Sequence, residues 1–207
     1  MIITEICPYG KMKSRVLTDE GLVFSVYRSE LNKYGLEEGR ELTEEVLEGV
    51  LYPLLKKRAV ERVVRLLKEK DYTEAELMRK LRLSYCPEEC ARQAVQWALE
   101  RHYVDDRRYA ENYIRWHAEG KSRRRILLDL QEKGVPREVA EELLETTPPD
   151  EEAQILRELR KRRFDPEHAD LKERKRTAAF LMRKGYSWAQ IESALRAYET
   201  GEEVSQV

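Results

Sequence analysis

The chain has 207 residues, and its 39 lysines and arginines stand against 40 aspartates and glutamates for a formal net charge of −1. Charged residues make up 38% of it, well above the ~25% of ordinary soluble domains, yet the 41% hydrophobic share is enough for a core, so wholesale disorder is excluded. No run approaches the ~18 consecutive apolar residues of a membrane-spanning helix, and Met1-Ile2-Ile3-Thr4-Glu5 lacks the basic-then-apolar layout of a secretory signal, so a soluble, cytoplasmic protein is expected.

Residues 1–42 differ from the rest. Ile2-Ile3 with Ile6, Arg15-Val16-Leu17 and Leu22-Val23-Phe24-Ser25-Val26-Tyr27 are short β-favouring runs, and Thr18-Asp19-Glu20-Gly21 is turn chemistry, so a small β-hairpin module is expected. A short helix near Ser29 to Tyr34 follows, punctuated by Gly35 and Gly39. From Thr43 the period changes: Val46, Leu47, Val50, Leu51, Leu54 and Leu55 recur at threes and fours, a helical stripe that Pro53 interrupts, which fits two helices or one kinked helix.

Beyond that the sequence repeats. Leu81, Leu130 and Leu181 superpose at intervals of 49 and 51 residues, which sets Thr73 on Ser122, Leu77 on Ile126, and Lys133-Gly134 on Lys184-Gly185. These positions have physical jobs. Thr73 and Ser122 suit helix N-caps, Thr73 with Glu76 completes a capping box, and Gly134 and Gly185 suit the left-handed residue after a helix end. Pro136 and Ser187 then open the next helices, as a first-turn residue and a cap. The spacing predicts helices at 54–70, 74–84 and 88–102, at 106–118, 123–133 and 137–145, and at 150–163, 173–184 and 188–199. The expected fold is mainly α, an elongated array of three tandem three-helix repeats preceded by a small N-terminal β-hairpin module. The expected domains are the β module at 1–42, repeat 1 with its lead-in helix at 43–104, repeat 2 at 105–147, and repeat 3 with a C-terminal tail at 148–207.

Cys7, Cys86 and Cys90 cannot form a disulfide framework, and an odd count fits a reducing compartment. A structural zinc at Cys86-Pro87-Glu88-Glu89-Cys90 would need a second pair of ligands, but Cys7, His102, His117 and His168 are scattered, so Cys90 reads as a small core residue at a helix start. No glycine-rich nucleotide loop, nucleophile motif or metal cluster is recognisable, so neither catalysis nor a metal or other cofactor is expected.

The candidate site is basic. If Ser122 caps a helix, Arg123, Arg124 and Arg125 fill its first turn, where cations are unfavourable by ~0.3–1 kcal/mol each, and Lys121 precedes them. The aligned third-repeat positions are Arg174, Lys175 and Arg176, whereas the first repeat has Glu74-Ala75-Glu76. Cations around free helical N–H groups would suit phosphates or a partner's carboxylates; an ordinary solvated surface is the alternative in so charged a chain. A second basic run is Arg160, Lys161, Arg162 and Arg163. From Arg157 to Lys184 there are 11 basic and 5 acidic residues, while Glu138 to Glu152 holds 7 acidic ones, so charge is segregated along the chain. Tyr109, Tyr113 and Trp116 at helical spacing read as core packing, as do Trp97, Trp188 and Tyr198, and Asp105-Asp106 reads as capping for the helix that follows.

The order of certain segments resembles the RecX family of regulators of the bacterial recombinase RecA. These are Tyr103-Val104-Asp105-Asp106-Arg107-Arg108-Tyr109-Ala110, Gly120-Lys121-Ser122 with Ile126, and Leu130-Gln131-Glu132-Lys133-Gly134-Val135. Upstream Ala59, Leu67 and Glu76-Leu77, and downstream Phe180-Leu181-Met182-Arg183-Lys184-Gly185-Tyr186-Ser187, extend the likeness over residues 43–200, and the β module is similar to the extension of longer members. One departure is Ser84-Tyr85, where the other repeats have Lys-Gly, so the first repeat's second helix is expected to end differently. The resemblance implies a non-enzymatic protein that lodges along the RecA filament on DNA and inhibits or tunes its ATPase, strand exchange and coprotease activities. Its expected state is a monomer, with weak direct DNA contact and no membrane partner. The rival reading is a stand-alone nucleic-acid-binding helical module. That would need a polar recognition helix, and helices such as Glu138 to Glu145 are acidic.

Overall fold

A computed structural model describes residues 1–200; the tail expected beyond them lies outside the described residues. Its first three elements form one antiparallel sheet in the order β1 (Ile3–Tyr9), β2 (Lys13–Thr18), β3 (Val23–Tyr27). The expected hairpin is its β2–β3 half, with Val16 opposite Phe24, and the Ile3–Ile6 run adds the third strand by pairing Ile6 with Val16. Strand β2 alternates as a half-buried strand must, with Ser14, Val16 and Thr18 inward. Gly21 closes the β2–β3 turn at φ +82°, a left-handed conformation that favours glycine.

Helix α1 (Arg28–Tyr34) leads to a short α2 (Glu44–Val46), a π-helical turn over Leu47–Leu51, and α3 (Tyr52–Glu69). The backbone widens into a π turn just before Pro53, whose ring nitrogen has no hydrogen to donate, and the helix then continues. The sheet's core residues Val16, Phe24 and Val26 pack with Leu47, Leu51 and Leu55 and with Cys90 of α5 (Glu88–Leu99). A second core joins Ala59 and Val63 to Leu77 and Leu81 of α4 (Glu74–Arg82) and to Ala91, Ala94 and Ala98.

The second and third repeats follow as α6 (Asp106–His117), α7 (Arg123–Glu132) and α8 (Arg137–Thr146), then α9 (Glu151–Lys161), α10 (Leu171–Arg183) and α11 (Trp188–Thr200). Each repeat encloses its own apolar cluster, and Leu81, Leu130 and Leu181, the residues that reveal the repeat, are all fully buried. Burying a leucine contributes roughly 1.5–3 kcal/mol, so these positions hold the repeat together. The caps expected at Thr73 and Ser122 form: their hydroxyls accept the N–H of Glu76 and Arg125, and Glu76 closes the box on the Thr73 N–H at 3.3 Å.

The expectation that the first repeat's second helix ends differently is overturned. In all three repeats the N–H five residues beyond the buried leucine bonds back to its carbonyl: Cys86 to Leu81 at 3.2 Å, Val135 to Leu130 at 3.0 Å and Tyr186 to Leu181 at 3.3 Å. The residue before each donor is left-handed: Tyr85 at φ +55°, Gly134 at +90° and Gly185 at +100°. A tyrosine there is strained by ~1–2 kcal/mol, and its surroundings hold it. The Tyr85 carbonyl accepts the Ser25 N–H at 3.1 Å, its ring packs edge-on to Tyr9 at 4.9 Å, and Arg15 lies over it. The side chain is in effect the anchor between sheet and helices.

Two compact units result, divided after Asp106. Among the described residues, no helix is long and apolar enough to cross a membrane.

Candidate partner-binding surface

Ser122, at 0% exposure, does more than cap α7. Its hydroxyl also donates to the Lys184 carbonyl at 2.8 Å, tying repeat 2 to the turn that ends α10. Two first-turn N–H groups of α7 are engaged as well: the Arg123 N–H donates to Glu151 Oε1 at 2.9 Å and the Arg125 N–H to Ser122 Oγ at 3.3 Å. Glu151, on the first turn of α9, thus places a carboxylate where an anion was expected from outside, and Gln190 of α11 donates to its other oxygen. The expected open anion site at this helix end is therefore filled from within the chain.

The cations around it are largely committed too. Lys121 Nζ bonds Asp129 Oδ2 at 2.8 Å and the Tyr113 hydroxyl at 2.7 Å, while Tyr113 also donates to Asp129 at 2.9 Å. Arg125 pairs with the other oxygen of Asp129 at 2.9 Å. Burial alone would push the Asp129 carboxyl up, but hydrogen bonds from Lys121 and Tyr113 outweigh it and hold the group below its usual range. Burial likewise opposes the Lys121 charge, and its hydrogen bonds to Asp129 and Tyr113 reverse that and raise its pKa. Arg123 Nη1 donates to the Leu144 carbonyl at 2.8 Å, near the C-terminal end of α8, where a cation is favourable. Of the expected group, Arg124 is exposed and Arg125 is exposed but paired.

In the third repeat the expected helix start shifts. Helix α10 begins at Leu171, capped by Asp170, whose carboxylate accepts the Glu173 N–H at 2.7 Å. The triplet Arg174, Lys175 and Arg176 therefore lies in the second turn, where N–H groups are bonded within the helix, and the helix-end anion reading does not apply there. Arg174 is held by Glu199 at 2.8 Å and by the Pro166 carbonyl at 2.6 Å, whereas Lys175 and Arg176 face solvent. In the Arg160 to Arg163 run, Arg160 and Lys161 close the last turn of α9 and complement its dipole. Arg162 stacks 4.1 Å from the Phe180 ring centre, and Arg163 ends the helix at φ +52°. All four are exposed.

Other readings are corrected. Trp116 and Trp188 are not core: they are 75% and 59% exposed, while Tyr109 and Tyr113 pack against the repeat 2 core. Asp106 caps, but not its own helix, because its carboxylate accepts the Glu74 N–H of α4 at 2.9 Å. Pro136 is the cap residue of α8 rather than its first-turn residue. Cys90 is buried as expected, and burial pushes the Cys86 and Cys90 thiols up to about 12 and about 11, so neither is a thiolate at neutral pH.

Sequence reasoning missed Gln154. It is 3% exposed on α9, donates to the carbonyls of Ala118 at 2.5 Å and Lys121 at 3.1 Å, and accepts from the Tyr186 hydroxyl at 2.7 Å. Burial raises the Tyr186 phenol to about 12, so it stays a donor. A lone amide beside Ile155-Leu156 on the buried face of a helix was the available signal.

The fold and surface thus define a helical-repeat protein whose second unit has exposed cations and exposed tryptophans around an internally hydrogen-bonded joint. Family models described as RecX, second three-helix domain, and RecX, third three-helix domain, match residues 105–144 and 150–195. The chain is 32% identical over 198 residues to regulatory protein RecX of Caldanaerobacter subterraneus subsp. tengcongensis, covering 94% of this chain and 98% of that protein. It is 38% identical over 129 residues to regulatory protein RecX of Trichlorobacter lovleyi, covering 59% and 84%. A crystal structure of regulatory protein RecX has the same fold, with a TM-score of 0.63 at 22% identity over 93% of this chain and 98% of that one. That of RecX from Lactobacillus salivarius gives 0.58 at 20% identity over 70% and 97%. The chain belongs to the RecX family of regulatory proteins.

Proposed function

We propose that this chain is a non-enzymatic, monomeric cytoplasmic protein that binds the filament formed by the RecA recombinase on DNA. It inhibits or tunes the filament's ATPase, strand exchange and coprotease activities. Family membership supports the partner, and the observation that carries the contact surface is what remains after internal pairing. Arg124, Arg160, Arg163, Lys175 and Arg176 are exposed in the second unit, together with Trp116 and Trp188. Arginine and tryptophan dominate the energetics of protein interfaces, and cations additionally suit acidic side chains or the DNA phosphates within a filament. Lys121, Arg123 and Arg174 act from behind, holding the helices that present this surface.

The test is RecA-driven strand exchange and ATP hydrolysis on single-stranded DNA, with filament length followed in parallel. The triple reversal Arg124→Glu, Lys175→Glu, Arg176→Glu is expected to reduce inhibition at least tenfold in potency while the protein stays folded. Undiminished inhibition would remove this surface from the contact. Tight, salt-sensitive DNA binding without RecA, with no effect on RecA, would favour the stand-alone nucleic-acid module.

A further inference from the structure

The first unit contains a cleft of about 150 Å³ between the sheet, α3 and the turn after α4, with Lys13, Tyr27, Arg58, Arg62 and Arg65 among its lining residues. Lys13 and Tyr27 are cross-strand neighbours on β2 and β3, while Arg58, Arg62 and Arg65, spaced by four and three, share one face of α3. Arg58 is satisfied by a two-point pair with Glu30, one arm at 2.8 Å, and stacks 4.7 Å from the Tyr27 ring centre. Lys13 lies over the same ring at 5.2 Å. Arg62 differs: its Nε is buried and has no hydrogen-bond partner. A buried guanidinium N–H left unbonded is unfavourable, and such groups call for an acceptor.

Charge points the same way. Among the described residues, the acids that line the cleft or pair with its cations are Glu61 and Glu30, against the four cations Lys13, Arg58, Arg62 and Arg65, a local excess of two positive charges. Burial first, and then the neighbouring Arg58, Arg62 and Arg65, lower the Lys13 ammonium from its ordinary range. A single carboxylate would leave half that excess. A doubly charged phosphate would balance it and present several acceptor oxygens to Lys13, Arg62 and Arg65. The volume holds on the order of ten waters, enough for a phosphate group and the atoms next to it.

We infer that this cleft binds a phosphate group in its dianionic form, as inorganic phosphate or a phosphate monoester, with the half-buried Arg62 as its main ligand and Lys13 and Arg65 beside it. The test uses the full chain in buffer free of other oxyanions, with chloride matching ionic strength. Inorganic phosphate at ~10 times its Kd is expected to raise the thermal midpoint by about 3–6 °C and to show a broadened ³¹P resonance. Arg62→Met, which keeps an apolar stem against the helix, is expected to be at least as stable in chloride and to lose both effects. If that variant does not fold, Arg65→Gln is expected to weaken the response several-fold. Adenosine monophosphate should displace inorganic phosphate, distinguishing a monoester source, whereas an oligonucleotide without terminal phosphates should not. The inference is overturned by no phosphate-specific shift, by an equal shift in Arg62→Met, or by equal displacement with the diester oligonucleotide.

Discussion

Arg123 to Arg125 and Arg174 to Arg176 stand at the same offset in successive repeats, yet they do different work. In repeat 2 the helix starts at the triplet itself, so its backbone N–H groups need acceptors; Glu151 and Ser122 take those of Arg123 and Arg125, and the Arg123 side chain turns back to a carbonyl of α8. In repeat 3 the helix starts a turn earlier at Asp170, and the cations sit on a wall already bonded within itself, with Lys175 and Arg176 free to face solvent. One turn of helix decides whether a basic triplet is part of the frame or part of the surface.

That contrast can be broken in several places. The largest effect is expected at the turn opposing α7. In Gly185→Ala the new methyl would run into Ser122 Oγ on a backbone at φ +100°, and about 2–4 kcal/mol of stability should be lost, read as a fall in the urea midpoint. Asp129→Asn removes the carboxylate shared by Lys121, Tyr113 and Arg125 and should cost about 1–3 kcal/mol at pH 7. Because folding depresses the Asp129 pKa, its stabilisation is full above about pH 4, the unfolded value, and disappears as pH falls through the lower folded value. The acid-side decline of stability should therefore be shallower in Asp129→Asn. The third repeat has Phe180 at the aligned position, so this carboxylate's contribution has no counterpart at that site. Arg123→Met should cost about 1 kcal/mol through the lost bond to Leu144. Arg124→Glu with Lys175→Glu should change stability by no more than about 0.5 kcal/mol while reducing RecA inhibition. An equal stability loss from Arg123→Met and from Arg124→Glu with Lys175→Glu would abolish the distinction between frame and surface.

Most of the helical frame was readable because its signals are local. The capping of Thr73 and Ser122 and the turns at Gly134 and Gly185 are set within a few residues, and with the apolar spacing they place nine helices to within about three residues at either end. The functional surface was less readable because pairing is non-local. Nothing near Arg123 announces that Glu151, 28 positions on, takes its N–H, and the spacing of Trp116 suits a buried face as well as an exposed one. Tyr85 marks another limit: the left-handed turn is set by the repeat, and tertiary contacts with Ser25, Tyr9 and Arg15 allow a residue that local preference disfavours.

Gln154 carries one more consequence. By gripping the α6–α7 turn from α9 and accepting from Tyr186, it makes the opening of either repeat expose polar groups of the other. Amide exchange of Arg125 and Tyr186 should then be governed by one shared opening event. A partner that pulls on repeat 3 would transmit its load directly into repeat 2, so this half of the chain behaves mechanically as a stiff lever rather than as two hinged links.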